Sequence, residues 1–155
     1  MSIDEGIWEH SEPWFHFVPD TEPLVLPAPS SGSIYCARMD GVQMLDSQGV
    51  FESFSRELKF PIHFGWNWPA LAECTRDLSW IPAEKYLLII LQAELLLRDE
   101  PEGKRVLSEI LNRTARTFGT SPDQPAKPQG TEIAFNVVCY CDALLLEDTK
   151  RNLLM

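Results

Sequence analysis

The fold is decided by residues 60–80, which read FPIHFGWNWPALAECTRDLSW. Pro61 and Gly65 interrupt regular structure, so the first part of this stretch is predicted to be a loop. Asn67 can cap a following helix, because its side-chain oxygen accepts a hydrogen bond from a first-turn N–H. Pro69 fits the first helical turn, where its missing N–H costs nothing. The stretch therefore predicts an aromatic-rich loop that leads into a short helix.

The predicted helix has an apolar face and a charged side. The apolar residues recur at helical spacing and are Leu71, Cys74 and Leu78. The charged residues lie off that face and are Glu73, Arg76 and Asp77. Core packing explains Glu73 least of all these residues, so Glu73 carries the most weight as a candidate for function.

This loop and helix resemble those of the barstar family, which are small intracellular inhibitors, or immunity proteins, of secreted microbial ribonucleases. The matching residues are Phe60, Pro61, Gly65, Asn67, Ala70, Leu71 and Cys74, and Trp80 matches through a short insertion. The resemblance implies a barstar-like domain over about residues 34–141. It leaves an N-terminal arm, residues 1–33, and a C-terminal tail, residues 142–155.

The remaining elements predict an α/β fold. Strands are predicted near residues 34–39, 86–91 and 132–140, and further helices near 47–59, 93–98 and 102–119. The unalternated apolar run 86–91 is typical of a strand buried on both faces, as in a parallel sheet covered by helices. The element order favours right-handed crossovers. We therefore predict a barstar-like three-stranded parallel sheet packed by about four helices, with an N-terminal extension; the resemblance implies the same.

The last predicted loop, the tail and the arm are interpreted from composition. Gly119 is a natural helix stop, and residues 120–130, with three prolines, are predicted to be a loop. Residues 142–155 are predicted to add a final helical turn or to fray. The arm contains six acidic residues, and the first basic residue of the chain is Arg38. Two interpretations of the arm stay open: it packs its aromatic side chains on the domain edge, or it is an additional acidic contact surface.

The net charge, the apolar runs and the cysteines indicate the kind of partner, the compartment and the cofactors to expect. The formal net charge of -10 argues against nucleic acid or an anionic membrane as the direct partner and favours a basic one. No signal peptide or membrane-length apolar run is present, which predicts a cytoplasmic protein. The four cysteines are predicted to be reduced and buried, and they are Cys36, Cys74, Cys139 and Cys141. We predict no cofactor; a metal site at the last two cysteines is the alternative.

The sequence contains none of the common catalytic motifs. An acid–base scheme would have to use His63, Glu73 and Asp77, and it would also need a substrate pocket. The resemblance implies inhibition instead. Carboxylates on a rigid helix can occupy the basic groove of a ribonuclease, and aromatic loop residues can supply desolvated anchors. The predicted partner is a basic ribonuclease toxin, and the chain is predicted to be a monomer or to form a 1:1 complex.

The predicted partner-binding residues are His63, Gly65, Trp66, Asn67, Trp68, Glu73, Arg76, Asp77 and Trp80. The resemblance assigns the principal acidic contact to Glu73 and a loop contact to His63. Three residues depart from the family pattern. Pro69 occupies a position that is often Asp in the family, Ala72 one that is often Trp, and Thr114 one that carries an acidic contact. The alternative function is a non-inhibitory interaction or regulatory module that reuses the same fold.

Overall fold

The computed structural model describes residues 5–29, 31–118 and 133–154. Its strands are β1 (Phe15–Pro19), β2 (Ile34–Asp40), β3 (Lys85–Leu91) and β4 (Ala134–Cys141). They form one sheet in the order β1-β4-β3-β2, and every neighbouring pair is parallel. The parallel strands predicted near residues 34–39, 86–91 and 132–140 are confirmed as β2, β3 and β4. The prediction of a three-stranded sheet is wrong, because β1 adds a fourth strand.

Strand β1 pairs with β4 in the register that places Phe15 opposite Val137. The backbone N–H of Val137 donates to the carbonyl of Trp14 at 2.8 Å, and the N–H of Asp20 donates to the carbonyl of Cys141 at 2.8 Å. Because β1 is an edge strand, Pro19 can end it without breaking a hydrogen bond inside the sheet. The N-terminal arm is thus joined to the sheet by backbone hydrogen bonds.

The described α-helices are α1 (Ser47–Glu57), α2 (Trp68–Asp77), α3 (Gly103–Thr117) and α4 (Leu146–Leu154). Short 3₁₀ turns cover Glu5–Trp8, Gly41–Gln43, Ala93–Leu95 and Ala143–Leu145. The predicted helix at residues 93–98 is therefore only a three-residue 3₁₀ turn. The fourth α-helix comes instead from the tail. The predicted helix stop at Gly119 and the predicted loop at residues 120–130 lie outside the described residues.

The main core lies between the helices and one face of the sheet. From β3 it takes Tyr86, Leu88 and Ile90. The helices contribute fully buried side chains, which include Phe54 of α1, Leu71 of α2 and Leu107 of α3. This packing fixes one side of α2 and leaves its other side available for contacts.

The opposite face of the sheet is covered by the arm. Leu87 and Ile89 of β3 form a second apolar cluster with Ile7, Trp8, Val18 and Val138. The indole N–H of Trp8 donates to the carbonyl of Pro27 at 2.7 Å. The predicted burial of β3 on both faces is confirmed, but the second cover is the arm rather than helices. The arm packs its aromatic side chains on the sheet.

A buried amide ties the arm to β4. Asn136 is fully buried, and its Nδ2 donates to the carbonyl of Glu9 at 2.9 Å. Its Oδ1 lies 3.1 Å from Nε2 of His16 on β1. Because a buried amide without partners costs free energy, these contacts favour the docked position of the arm. His16 is therefore a packed residue with a structural partner.

The cysteines are all reduced but differ in exposure. Cys74, Cys139 and Cys141 are buried, as predicted, whereas Cys36 is exposed. The prediction that Cys36 is buried is wrong, because Cys36 lies on β2, which is an edge strand of the sheet. Among the described residues, no group of three or more His, Cys, Asp or Glu side chains could hold a metal ion.

Candidate partner-binding surface

The loop before α2 is held by edge-to-face contacts between aromatic rings. Phe64 contacts Phe60 edge to face at a centroid distance of 4.9 Å, and Phe51 of α1 at 6.2 Å. Phe60 in turn contacts Trp80 at 6.2 Å. The indole N–H of Trp80 donates to the carbonyl of Leu58 at 2.9 Å. Trp80 is partly buried, and it therefore braces the loop from behind.

Backbone hydrogen bonds stiffen the same loop. The N–H of Phe60 donates to the carbonyl of Ser55 in α1 at 3.0 Å. The N–H of Phe64 donates to the carbonyl of Pro61 at 3.0 Å. The side chains between these two anchors, Ile62 and His63, are exposed. A partner could thus meet them with little ordering of the backbone.

The two loop tryptophans have different roles. Trp68 is partly buried, and its ring meets Phe51 edge to face at 5.0 Å. Trp66 is 46% exposed, and its ring lies 5.1 Å from Phe64. Two tryptophans adjacent to a tight turn cannot both face the core, and of this pair Trp66 is the exposed one. Trp66 is the side chain that offers a large apolar surface to a partner.

Trp66 also has an unusual backbone conformation, with a φ of 55°. A left-handed φ is strained for a bulky residue and costs of order 1 kcal/mol. A glycine in a loop is the residue expected to adopt such a conformation, but here the positive φ falls one residue after Gly65. A Cβ atom at Gly65 would lie 3.4 Å from both Ala70 and Asn67, which is an ordinary van der Waals contact.

Asn67 caps α2 as predicted. Its Oδ1 accepts a hydrogen bond from the N–H of Ala70 at 2.8 Å, and its Nδ2 donates to the carbonyl of Gly65 at 3.2 Å. Asn67 therefore fixes the angle between the loop and the helix. Its exposed position leaves its outer side accessible.

Helix α2 separates buried from exposed residues sharply. Leu71, Cys74 and Thr75 are buried. Glu73 and Asp77 are exposed and lie one helical turn apart on the same side. No ion pair or hydrogen bond reaches the Glu73 carboxylate from the part of the chain that the structure describes. Asp77 accepts a local hydrogen bond from the N–H of Ser79 at 3.2 Å.

The charges of α2 affect the pKa of Cys74, which is buried next to the exposed carboxylates of Glu73 and Asp77. Burial raises the pKa of the Cys74 thiol to about 11, and the negative charges of Glu73 and Asp77 add to the increase. The thiol is thus neutral at physiological pH and acts as a small apolar side chain. This side of the helix therefore presents negative charge outward over a neutral core.

The acid–base alternative gains no support from the geometry. His63, Glu73 and Asp77 are all exposed. Within the described residues, no hydrogen bond joins any two of these three side chains. Catalysis would need a positioned pair and a pocket, so the arrangement is suited to surface contacts.

A groove runs between α2 and α3, and the sequence did not reveal it. Three of its lining residues are Pro69, Ala72 and Thr114, which are the positions where the chain departs from the resemblance. Thr114 is buried, and its hydroxyl lies 3.1 Å from that of Thr75. Thr114 therefore joins the two helices and offers no charge to a partner. The groove depends on residues far apart in sequence, which is why no local pattern reveals it.

The fold and this surface together define a class of protein. The chain is a small α/β protein with a parallel sheet, and it presents a braced aromatic loop beside an acidic helix. The family model described as Barstar (barnase inhibitor) matches residues 34–138, which is more than half of the chain. The chain therefore belongs to the barstar family, whose members are inhibitors.

No curated protein matches the chain. In the described part of the chain, no helix has both the length and the apolar character needed to cross a membrane.

Proposed function

We propose that this chain is an immunity protein that binds a basic ribonuclease toxin in a 1:1 complex and blocks its active site. Its binding face would consist of the loop residues His63, Gly65, Trp66, Asn67 and Trp68, the α2 residues Glu73, Arg76 and Asp77, and the supporting Trp80. The observation that carries the proposal is the exposed carboxylate of Glu73, which has no ion-pair partner among the described residues, together with the exposed ring of Trp66 in the preceding loop.

The proposed mechanism is occupation of a phosphate site. A ribonuclease binds its substrate with cationic side chains, and a carboxylate can form charge-assisted hydrogen bonds with those same groups. Glu73 and Asp77 lie one turn apart on a helix whose other side is core, so both carboxylates are held in position before binding. Such preorganisation reduces the entropy that association would otherwise cost.

The aromatic loop would supply the apolar part of the interface. Exposed tryptophans are frequent binding hot spots because a rigid ring buries a large area. The ring contact between Trp66 and Phe64 restrains the Trp66 side chain before a partner arrives. Burial of this ring would also exclude water from the neighbouring charge pairs, which strengthens them.

This role involves no catalysis and no cofactor. The chain would act by covering the catalytic groups of another protein. Its net charge of -10 would speed the encounter with a basic toxin through long-range attraction.

The proposal is tested by capture followed by an enzyme assay. The full chain is immobilised and exposed to culture medium and cell extract of the source organism, and bound proteins are assayed on a fluorogenic RNA substrate. We expect a captured basic protein to cleave RNA, and an equimolar amount of the free chain to abolish that cleavage. Capture of partners without ribonuclease activity would contradict the proposal and favour the non-inhibitory interaction module.

A further inference from the structure

The groove between α2 and α3 has an apolar interior of substantial size. Its volume is about 370 Å³, which lies within the usual range for pockets that bind small ligands. Pro69 and Ala72 form its α2 wall, and Val106 and Ile110 form its α3 wall. Val106 is 36% exposed, so this apolar surface reaches the solvent. A large apolar side chain could enter the groove and be removed from water there.

The rim of the groove carries positive charge. Arg76 and Arg113 both line it, together with the single carboxylate of Glu109. Glu109 is already paired, because Nε of Arg105 lies 3.1 Å from its Oε1. Across the described residues, the guanidinium of Arg113 has no carboxylate within ion-pair distance. The groove thus combines an apolar interior with a cation that is available to an incoming anion.

We propose that the groove binds a large apolar side chain of the partner, and that a carboxylate adjacent to that side chain pairs with Arg113. Burial of the apolar group would supply the main favourable term, at roughly 25 cal/mol per Å² removed from water. The planar guanidinium would select the carboxylate, because it can donate two parallel hydrogen bonds to it. A basic residue at the same place would be repelled.

The groove adjoins the acidic side of α2. Pro69 in its wall and Glu73 on the proposed inhibitory face are four residues apart and therefore neighbours on the helix surface. This inference deepens the proposed function, on which it rests for the identity of the partner. A single partner would present basic groups to Glu73 and an apolar–acidic pair to the groove. The two adjacent sites of opposite charge would exclude partners that carry only basic residues in this region.

The test uses a random dodecapeptide library displayed on phage and needs no ribonuclease. Clones are selected on the full-length parent and counter-selected on Ala72→Trp, whose indole would fill the groove. We expect the clones specific for the parent to share a large apolar residue next to Asp or Glu. Should Ala72→Trp not fold, Val106→Trp replaces it, because Val106 lies at the solvent side of the groove. Failure to enrich parent-specific clones, or enrichment of basic ones, would overturn the inference.

A synthetic peptide with the enriched sequence is then titrated against two charge variants. Arg113→Glu should weaken its binding about tenfold, because the variant loses one attraction and adds one repulsion. Arg38→Glu is the matched control, since Arg38 is an exposed arginine on β2 outside the groove, and it should bind like the parent. Equal affinity for the Arg113 variant and the parent would overturn the assignment. Peptide binding without any ribonuclease inhibition would refute only the proposed function, and ribonuclease inhibition without peptide binding would refute only the groove.

Discussion

Replacement of Trp8 by alanine tests whether the arm belongs to the folded structure. Trp8 is 6% exposed and packs in the second cluster, which covers the sheet face opposite the helices. A buried tryptophan removes ~150–250 Å² from water, which at ~25 cal/mol per Å² corresponds to ~4–6 kcal/mol. Part of this free energy is retained in the variant, because the arm can relax into the space that the ring leaves. We therefore expect the free energy of unfolding to fall by ~3–4 kcal/mol, close to the usual range for Trp→Ala in a core.

The measurement is urea denaturation followed by far-UV circular dichroism, which does not depend on tryptophan fluorescence. Val25→Ala is the matched control, since Val25 is in the same arm but 72% exposed, and its effect should stay within ~0.5 kcal/mol. The denaturation slope should be unchanged for both variants. A loss below ~1 kcal/mol for Trp8→Ala would refute the reasoning, because it would mean that the arm contributes little to the stability of the sheet.

Three further predictions concern the cap, the thiols and the arm charges. Asn67→Ala should lower the free energy of unfolding by ~1 kcal/mol in thermal or urea denaturation, because the N–H of Ala70 loses its partner; no loss would contradict the capping role. Burial raises the pKa of the Cys74 and Cys141 thiols to about 11, whereas unfolded thiols ionise near ~8.5, so the free energy of unfolding should fall as pH rises from about 9 to about 11. Urea midpoints at pH 8 and pH 10.5 measure this fall, and Cys74→Ala should reduce it; an equal fall in that variant would count against the assignment. The double variant Glu9→Gln, Glu12→Gln should slow association with the captured toxin at low salt, if the exposed acidic arm residues attract it. An unchanged rate in stopped-flow measurements would leave the arm with only its structural role.

Sequence patterns predict the central part of this fold well because its signals are local. Asn67, Pro69 and the apolar spacing of α2 act within one or two helical turns, and the structure has the helix where these residues predict it. The unalternated run of β3 likewise indicates burial on both faces. Strand β1 gives a weaker signal: residues 14–18 are apolar enough for a short strand, but nothing local shows that it joins the sheet, because its partner strand lies more than a hundred positions later.

The same distinction between local features and long-range packing holds for the candidate surface. The exposure of Glu73 follows from its place off the apolar face, and sequence periodicity is enough to predict it. The positive φ of Trp66 does not follow from its residue type, since bulky side chains disfavour that conformation. The groove between α2 and α3 depends on how two helices pack, and the empty space beside Ala72 exists only in the folded chain.

The proposed function requires the acidic side of α2 to bind the catalytic groove of a basic ribonuclease. Calorimetric affinity of the captured ribonuclease for Glu73→Ala, measured beside the thermal midpoint of the variant, tests it most directly. Glu147→Ala is the matched control, because Glu147 is an exposed carboxylate in the first turn of α4, away from the loop. Both variants should keep the parent's midpoint, since surface substitutions usually change stability by less than ~0.5 kcal/mol.

We expect Glu73→Ala to weaken binding by ~2–5 kcal/mol, because the cation of the ribonuclease would be left buried and unpaired. This range is itself drawn in part from complexes of this family. Glu73→Lys should weaken it further through repulsion, and Glu147→Ala should bind like the parent. If Glu73→Ala binds with the parent's affinity while its midpoint is unchanged, α2 is not the inhibitory surface and the account is contradicted.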